Sequence, residues 1–157
     1  MEKIIEKMEI YHFINHFLPG AVFVAIFNKI YENDFLDSNI IIAIIEYYFI
    51  GLVLSRIGSV VFQPVLRKIK IIKHADYNNY IKASKEDEKI DILQREANQY
   101  RTYIATFAIL AIIQSYICIV DNTFAASLIL FIGLTILFIF AYKKQISFIV
   151  ERVENYQ

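Results

Sequence analysis

The sequence predicts an all-α, polytopic membrane protein with four transmembrane helices and a cytoplasmic helical extension between spans two and three. Two observations support this fold class: four long apolar runs and a very uneven distribution of Lys and Arg. Of the 157 residues, 57% are hydrophobic, whereas soluble domains are typically about 45–50% apolar. Four Gly and 2 Pro are too few for a loop-rich β fold. We expect a single membrane domain over residues 1–157.

The predicted spans cover about residues 13–30, 39–66, 102–120 and 123–142, and residues 67–101 form the helical segment between the second and third. Each run reaches or nearly reaches the ~20 residues that cross a ~30 Å hydrocarbon layer. The first run is the weakest, because polar residues and Pro19-Gly20 interrupt its start. The alternative has three spans and an interfacial first helix. Pro64 is expected to end or bend the second helix.

Basic residues predict the orientation. Fourteen of the 16 Lys and Arg residues lie before the first run, between the second and third, or after the fourth. The two short loops on the other side carry only acidic charges, namely Glu32, Asp34, Asp37 and Asp121. By the positive-inside rule, both termini and the central segment are cytoplasmic. We therefore expect a multi-pass protein of the cell inner membrane.

Two ionic side chains interrupt the second run, Glu46 and Arg56. A charge at the bilayer centre costs about 2.5–3.5 kcal/mol on insertion scales. The two residues are about 15 Å apart along a helix axis, so a direct pair within one helix is not expected. We interpret them either as buried structural ion contacts or as part of a polar conduction or substrate path. Arg56 could also extend its head to the interface.

Polar residues of the other runs extend this candidate path. His16 shares a helix face with His12 and Glu9, which is compatible with a polar collar, a pH-responsive gate or a metal half-site. The sequence offers no third or fourth ligand other than His74 or a residue of a subunit partner, so we predict no metal site. The candidate pore or intramembrane polar path comprises Glu46, Arg56, Ser55, Ser59, Gln114, Asn15 and His16.

Small residues also recur along the second run. Gly51, Ser55 and Ser59 are spaced by four, with Gly58 beside them. Such a stripe lets helix backbones approach closely in membranes. We therefore predict that these four residues pack against a neighbouring helix.

The central segment offers two further surfaces. Arg67, Lys68, Lys70 and Lys73 follow the second run and are predicted to contact the anionic inner leaflet. A nucleic-acid site is the alternative, but basic residues are expected after a span in any case, so a nucleic acid is not expected as a partner of this chain alone. Ser84 resembles the N-cap of a long helix that continues into the third span. A short heptad seam on that helix indicates a partner, an oligomer contact or packing within the monomer, and comprises Ile90, Leu93, Ala97 and Tyr100.

Aromatic residues lie near the predicted span ends. Tyr11, Tyr31, Tyr103 and Tyr142 occupy these positions, as an interfacial aromatic belt requires.

Catalytic signatures are absent from the sequence. It contains no phosphate-binding Gly loop and no HExxH, CxxC or GxSxG motif. Its lone cysteine, Cys118, lies within an apolar run. We expect neither an enzyme nor a cofactor.

Three function classes remain. One is a homo-oligomeric ion channel or pore whose second span lines the axis and whose cytoplasmic extension gates it or assembles it. Another is a membrane anchor or scaffold subunit that recruits a soluble cytoplasmic partner. The third is a small transporter in which Glu46 is a proton-coupled site.

The layout and three segments resemble the small multi-span membrane effectors of bacterial antiphage (abortive infection) systems. These segments are FLPGAVF at 17–23, FIGLVLSRIGS at 49–59, and ASKEDEKIDIL with ANQYRT between 83 and 102. The resemblance implies an antiviral defence protein that oligomerises and permeabilises the inner membrane. It also implies that a separate sensor protein, docking on the cytoplasmic face, triggers it.

Overall fold

The computed structural model describes the backbone of residues 2–31, 39–122 and 125–156, and the side chains of 13–30, 39–122 and 125–156. Helix α1 covers Glu2–Tyr31 and α2 covers Ile40–Ile57. A π-helical turn, Gly58–Phe62, joins α2 directly to α3 at Gln63–Lys68. Helix α4 covers Tyr77–Glu86, α5 covers Glu88–Val120 and α6 covers Ala126–Glu154.

Four of these helical stretches are long and apolar enough to cross a membrane: Phe13–Ile30, Ile40–Lys68, Glu88–Val120 and Ala126–Glu154. The predicted all-α fold with four spans, and with the short helix α4 between spans two and three, is confirmed. By length and composition, the first apolar run qualifies together with the other three. The chain is therefore a multi-span membrane protein.

Several helix boundaries differ from those predicted. Pro64 does not end the second helix, because the wider π-helical turn precedes it and Gln63 donates its backbone N–H to the carbonyl of Gly58. A proline otherwise clashes with the carbonyl four residues earlier, here that of Val60, and leaves that carbonyl without its donor. The predicted N-cap at Ser84 is wrong: Ser84 lies inside α4, and Asp87 caps α5 through the backbone N–H of Lys89 at 2.9 Å.

The α5–α6 hairpin holds the main apolar core. Ile90, Ala97 and Ile104 of α5 are fully buried, and α6 continues past its basic residues to cover them. The covering residues of α6 are Tyr142, Ile146, Ile149 and Val153. Leu93 and Tyr100 of the heptad seam are partly buried against the same cluster. The seam is therefore occupied within the chain, which was one of the three alternatives left open by the sequence.

A second cluster fills the middle of the bundle. Phe107, Leu110 and Phe131 are buried there, and side chains of α1 pack around them. The ring of Phe138 stacks on those of Tyr103 and Phe107, with centroids 4.9 and 5.6 Å apart. Tyr103 is partly buried against this cluster, whereas Tyr142 is 0% exposed and does not form part of a surface belt. Tyr11 and Tyr31 lie outside the side chains that the structure describes.

Glycine controls the closest helix contacts. A Cβ on Gly51 would collide with the backbone carbonyl of His16 in α1, and one on Gly20 would collide with that of Tyr47 in α2. A Cβ on Gly58 would lie 2.9 Å from the carbonyl oxygen of Arg101 in α5. The second span therefore approaches both α1 and α5 at backbone distance.

The outward surface of the bundle is apolar. Ile41, Ile45 and Phe49 are exposed along α2. Helix α6 exposes a comparable set, namely Ile129, Leu130, Ile136, Leu137 and Phe140. Such a continuous apolar surface is stable in hydrocarbon and not in water, so lipid is the medium that surrounds these helices.

Candidate functional site

The two ionic residues of the second span differ in their surroundings. Glu46 is partly buried, and its Oε2 is enclosed with no hydrogen-bond partner in the described part of the chain. Arg56 is exposed and continues the outward stripe formed by Ile45, Phe49 and Val53. The structure therefore places Arg56 on the surface of the bundle and not in its interior.

The other predicted path residues lie at separate places. His16 packs edge-on against Tyr48 with ring centroids 5.9 Å apart, and Asn15 beside it is partly buried. Gln114 is buried, and its Nε2 lies 3.9 Å from Sγ of Cys118. Ser55 is partly buried on α2. Of the predicted path residues, only Ser59 lines one of the cavities described below, so the structure does not gather them into one site within a single copy.

Hydroxyl groups of the spans are satisfied locally. Thr106 donates to the carbonyl of Thr102 at 3.0 Å, and Ser115 donates to that of Ala111 at 2.7 Å. Thr135 donates to the carbonyl of Phe131 at 2.8 Å. Bonds to the carbonyl four residues earlier keep such groups stable without water. These three hydroxyl groups are therefore not left as unsatisfied donors in the spans.

A polar network lies instead at the end of the bundle that carries most of the basic residues, which we call the basic end. It joins the second span, the following loop and α5. Nη1 of Arg101 donates to Oε1 of Gln63 at 2.5 Å, and Nε2 of Gln63 lies 3.2 Å from Nε2 of His74. Because the Gln63 amide oxygen accepts from Arg101, its NH₂ group must donate to His74. His74 therefore carries its own proton on Nδ1.

The charge state of His74 agrees with this arrangement. Its partial burial, together with the positive charges of Arg67 and Arg101, holds the pKa of His74 below its usual value. A histidine with a lowered pKa is neutral at pH 7. Nε2 can then accept the bond from Gln63, while the Nδ1–H group is a donor.

Two buried groups of the basic end, Nε of Arg101 and the hydroxyl oxygen of Tyr142, form no hydrogen bond of good geometry among the described residues. The two side chains nevertheless lie close enough to interact with each other. Tyr142 is fully buried between α5 and α6. A buried polar group without a partner costs about 1–3 kcal/mol, and more if it is charged. The described residues contain a single ion pair, between Arg152 and Asp87, and it does not involve this cluster.

Two cavities flank Gln63 and Arg67. One has a volume of about 410 Å³ and is lined by Ser59, Gln63, Pro64 and Arg67. The other, also about 410 Å³, lies between the loop at 69–76, α4, α5 and α6. We call it the loop cavity; its lining residues are Gln63, Arg67, His74, Ala75, Tyr77, Tyr80, Gln94, Ile146, Ile149 and Val150. Its lining combines basic and polar groups with aliphatic side chains of α6.

Lysines predicted to contact the leaflet surround this region. Lys68, Lys70 and Lys73 are exposed, as is Arg67. Lys70 has a φ of 60°, and the chain reverses there so that the backbone N–H groups of Ile71 and Ile72 both reach the carbonyl of Leu66. This turn ends α3 and brings His74 back toward Gln63.

An ion pair at the same end joins α6 to the start of α5. Nη1 of Arg152 lies 2.6 Å from Oδ2 of Asp87, whose other oxygen accepts from the Lys89 backbone. The backbone N–H of Lys89, then the Arg152 guanidinium, lower the pKa of Asp87, although partial burial opposes them. Nearby, Gln145 donates to Glu96 at 2.6 Å. These contacts attach α6 to α5 beyond the apolar core.

The sequence did not reveal Gln63, His74, Arg101 or Tyr142 as a cluster. Arg101 and Gln63 are 38 residues apart, and their meeting depends on the close approach at Gly58. The one sequence signal was Arg101 itself, a charge at the start of an apolar run.

In comparisons with known proteins, no family model, curated protein or solved structure matches this chain. Its own structure defines it as a multi-span, all-α membrane protein with a polar cluster at one end of the bundle. Among the described residues, no group of three or more His, Cys, Asp or Glu residues is placed to hold a metal ion. His12 and Glu9 of the histidine face lie outside the described side chains.

Proposed function

We propose that the protein is a homo-oligomeric membrane channel or pore-type effector, and that its pore forms between copies at the second span. The observation that carries this proposal is the position of Arg56 on the outward, otherwise apolar stripe of α2. Facing lipid at hydrocarbon depth, such a charge would cost about 2.5–3.5 kcal/mol, and its proximity to Arg101 adds repulsion between like charges. A neighbouring copy, or a water-filled space between copies, removes this cost.

Two further features support a pore between copies. Glu46 lies about 15 Å from Arg56 along α2, and one of its carboxylate oxygens has no partner in the described part of the chain. The interior of one copy is filled by Phe107, Leu110 and Phe131. A polar path through the middle of a single copy would have to displace these side chains, whereas one between copies would not.

The orientation and setting are part of the same proposal. Exposed Arg67, Lys68 and Lys73 lie at one end of the bundle, and the positive-inside rule assigns that end to the cytoplasm of a bacterial inner membrane. The resemblance to antiphage effectors supports a role in antiviral defence. We assign the trigger to a soluble partner that docks on the cytoplasmic end.

The oligomer contact is tested by cross-linking in membranes. Phe49→Cys and Val53→Cys, made in a Cys118→Ala background, place thiols on the outward stripe of α2. We expect disulfide-linked dimers from both after mild oxidation. Ile136→Cys on the exposed face of α6 is the matched control and should give none. Equal cross-linking at all three positions, or none on α2, would contradict an α2 interface.

Conduction is tested by measuring ion flux from proteoliposomes that contain protein able to form the α2 cross-link. Glu46→Gln and Arg56→Gln should each change the flux by about tenfold or more, as expected when about 1.4 kcal/mol of ion stabilisation is lost. Arg95→Gln, the same neutralisation in the extramembrane part of α5, should leave it unchanged. Absence of flux from assembled protein would favour the scaffold function. Saturable flux driven by a proton gradient would favour the transporter.

A further inference from the structure

The loop cavity has no assigned occupant. Its lining combines Arg67, His74 and the Gln63 amide that contacts His74 with the aliphatic side chains of Ile146, Ile149 and Val150. Its volume of about 410 Å³ lies within the range of about 300–1,000 Å³ that is usual for small-molecule sites. None of its lining residues carries a carboxylate.

The positive charge at the loop cavity is not neutralised by an ion pair among the described residues. Arg101 contacts Gln63, and no carboxylate among the described residues forms an ion pair with Arg101 or Arg67. Arg101 therefore places a second guanidinium one hydrogen bond behind the cavity wall. Asp91 interacts with Tyr80 of the lining, where burial and then this carboxylate raise the pKa of the phenol.

Two hydrogen-bond donors are available among the residues that line the cavity. His74 accepts from Gln63 at Nε2, so its Nδ1–H group remains as a donor at the cavity. The exposed guanidinium of Arg67 borders both the loop cavity and the cavity beside Ser59. A guanidinium and an N–H donor in one lining, without a competing carboxylate, form the donor set that binds phosphate oxygens.

We propose that the loop cavity is a binding site for a phosphate-bearing anion, held by Arg67 and His74 and positioned by Gln63 and Arg101. The aliphatic side chains of the lining would contact the apolar part of the ligand. Two sources share this chemistry: the headgroup of an anionic phospholipid and a soluble phosphate ester. Neither Glu46 nor Arg56 of the proposed pore lines this cavity, so ligand binding is measured separately from ion flux.

The test compares two adjacent cations on α3. Arg67 lines the cavity, whereas Lys68 is equally exposed but does not. Full-length protein in an uncharged detergent is titrated with phosphatidylglycerol, with phosphatidylcholine and with ATP, and bound ligand is counted by native mass spectrometry. We expect Arg67→Gln to weaken binding about tenfold, the loss of one charge-assisted contact, and Lys68→Gln to weaken it much less, because Lys68 does not line the cavity.

The arms distinguish the sources of the anion. Binding of phosphatidylglycerol but not of ATP identifies a lipid headgroup, and binding of ATP identifies a soluble phosphate ester. His74→Phe, which keeps the ring but removes its donor, should weaken the same ligand. Equal losses from Arg67→Gln and Lys68→Gln would overturn the proposal, because diffuse attraction to the surface would then account for the binding. Absence of binding by phosphatidylglycerol and ATP alike would also overturn it.

Discussion

Asp87 shows how one side chain at a helix boundary carries two separate interactions. One carboxylate oxygen caps α5 through the Lys89 backbone, and the other pairs with Arg152 of α6. The cap determines where α5 starts, and the ion pair determines where the last turns of α6 lie against it. Asparagine retains the capping oxygen but loses the charge, so the two contributions can be separated by substitution.

We predict that Asp87→Asn lowers the midpoint of thermal unfolding in detergent and that Asp87→Ala lowers it further, since alanine also removes the cap. Arg152→Gln should match Asp87→Asn. Because the pKa of Asp87 is lowered in the folded protein, the carboxylate stabilises it above the ordinary value of 3.8 and less as the pH falls through the folded value. Circular dichroism at pH 7 and pH 3 measures both effects. The Asp87→Asn deficit should therefore shrink between pH 7 and pH 3, and a deficit as large at pH 3 as at pH 7 would contradict the linkage.

Backbone contact between helices governs packing at the scale of the elements. Gly51 and Gly20 bring α1 and α2 together so closely that neither has room for a methyl group. Gly133 on α6 has nothing within 4 Å of the position that a Cβ would take. The same substitution at these sites therefore has opposite expected effects.

Gly51→Ala should destabilise the protein by about 1–3 kcal/mol, the usual range for overpacking a filled interior. Gly133→Ala should be neutral or stabilising by up to about 1 kcal/mol, because alanine is the better helix former. Denaturant titration in mixed micelles, followed by helix signal, measures both. A loss at Gly133 equal to that at Gly51 would show that glycine matters here for flexibility and not for close approach.

The sequence predicted the helices better than their boundaries and the contacts between them. Apolar length predicted the four spans, because a 30 Å layer demands it whatever the tertiary contacts are. The fourth predicted span ends at about residue 142, but the helix continues to Glu154, since Ile146, Ile149 and Val153 pack on α5 beyond the apolar run. Likewise the Gln63–Arg101 contact joins two spans through a π-helical turn, a local geometry that has no clear sequence signal.

At the scale of the whole molecule, the hairpin is longer than the hydrocarbon it crosses. Helix α5 has 33 residues and α6 has 29, which correspond to about 50 and 44 Å at about 1.5 Å per residue. A hydrocarbon layer measures about 30 Å. The Asp87–Arg152 end therefore projects from the membrane as a packed pair of helices, next to α4.

We predict that Lys3, Lys85 and Asn155 lie on one side of the membrane and Asn122 on the other. Single cysteines at these positions, in a Cys118→Ala background, are tested in intact cells with a membrane-impermeant maleimide. Only Asn122→Cys should react before permeabilisation. Reaction of Lys3→Cys in intact cells would support an interfacial first helix and three spans. Reaction of Lys85→Cys would reverse the orientation, and with it the proposed cytoplasmic docking.

The π-helical turn at Gly58–Phe62 has a rotational consequence. One extra residue in a helical turn rotates everything after it by about 100°. Gln63 and Arg67 thus owe their direction toward α5 and the loop to a local irregularity several residues earlier. Deleting one of these five residues would restore regular α-helical winding. The helix would still span the membrane, but the guanidinium of Arg67 would point about 100° away from its present direction.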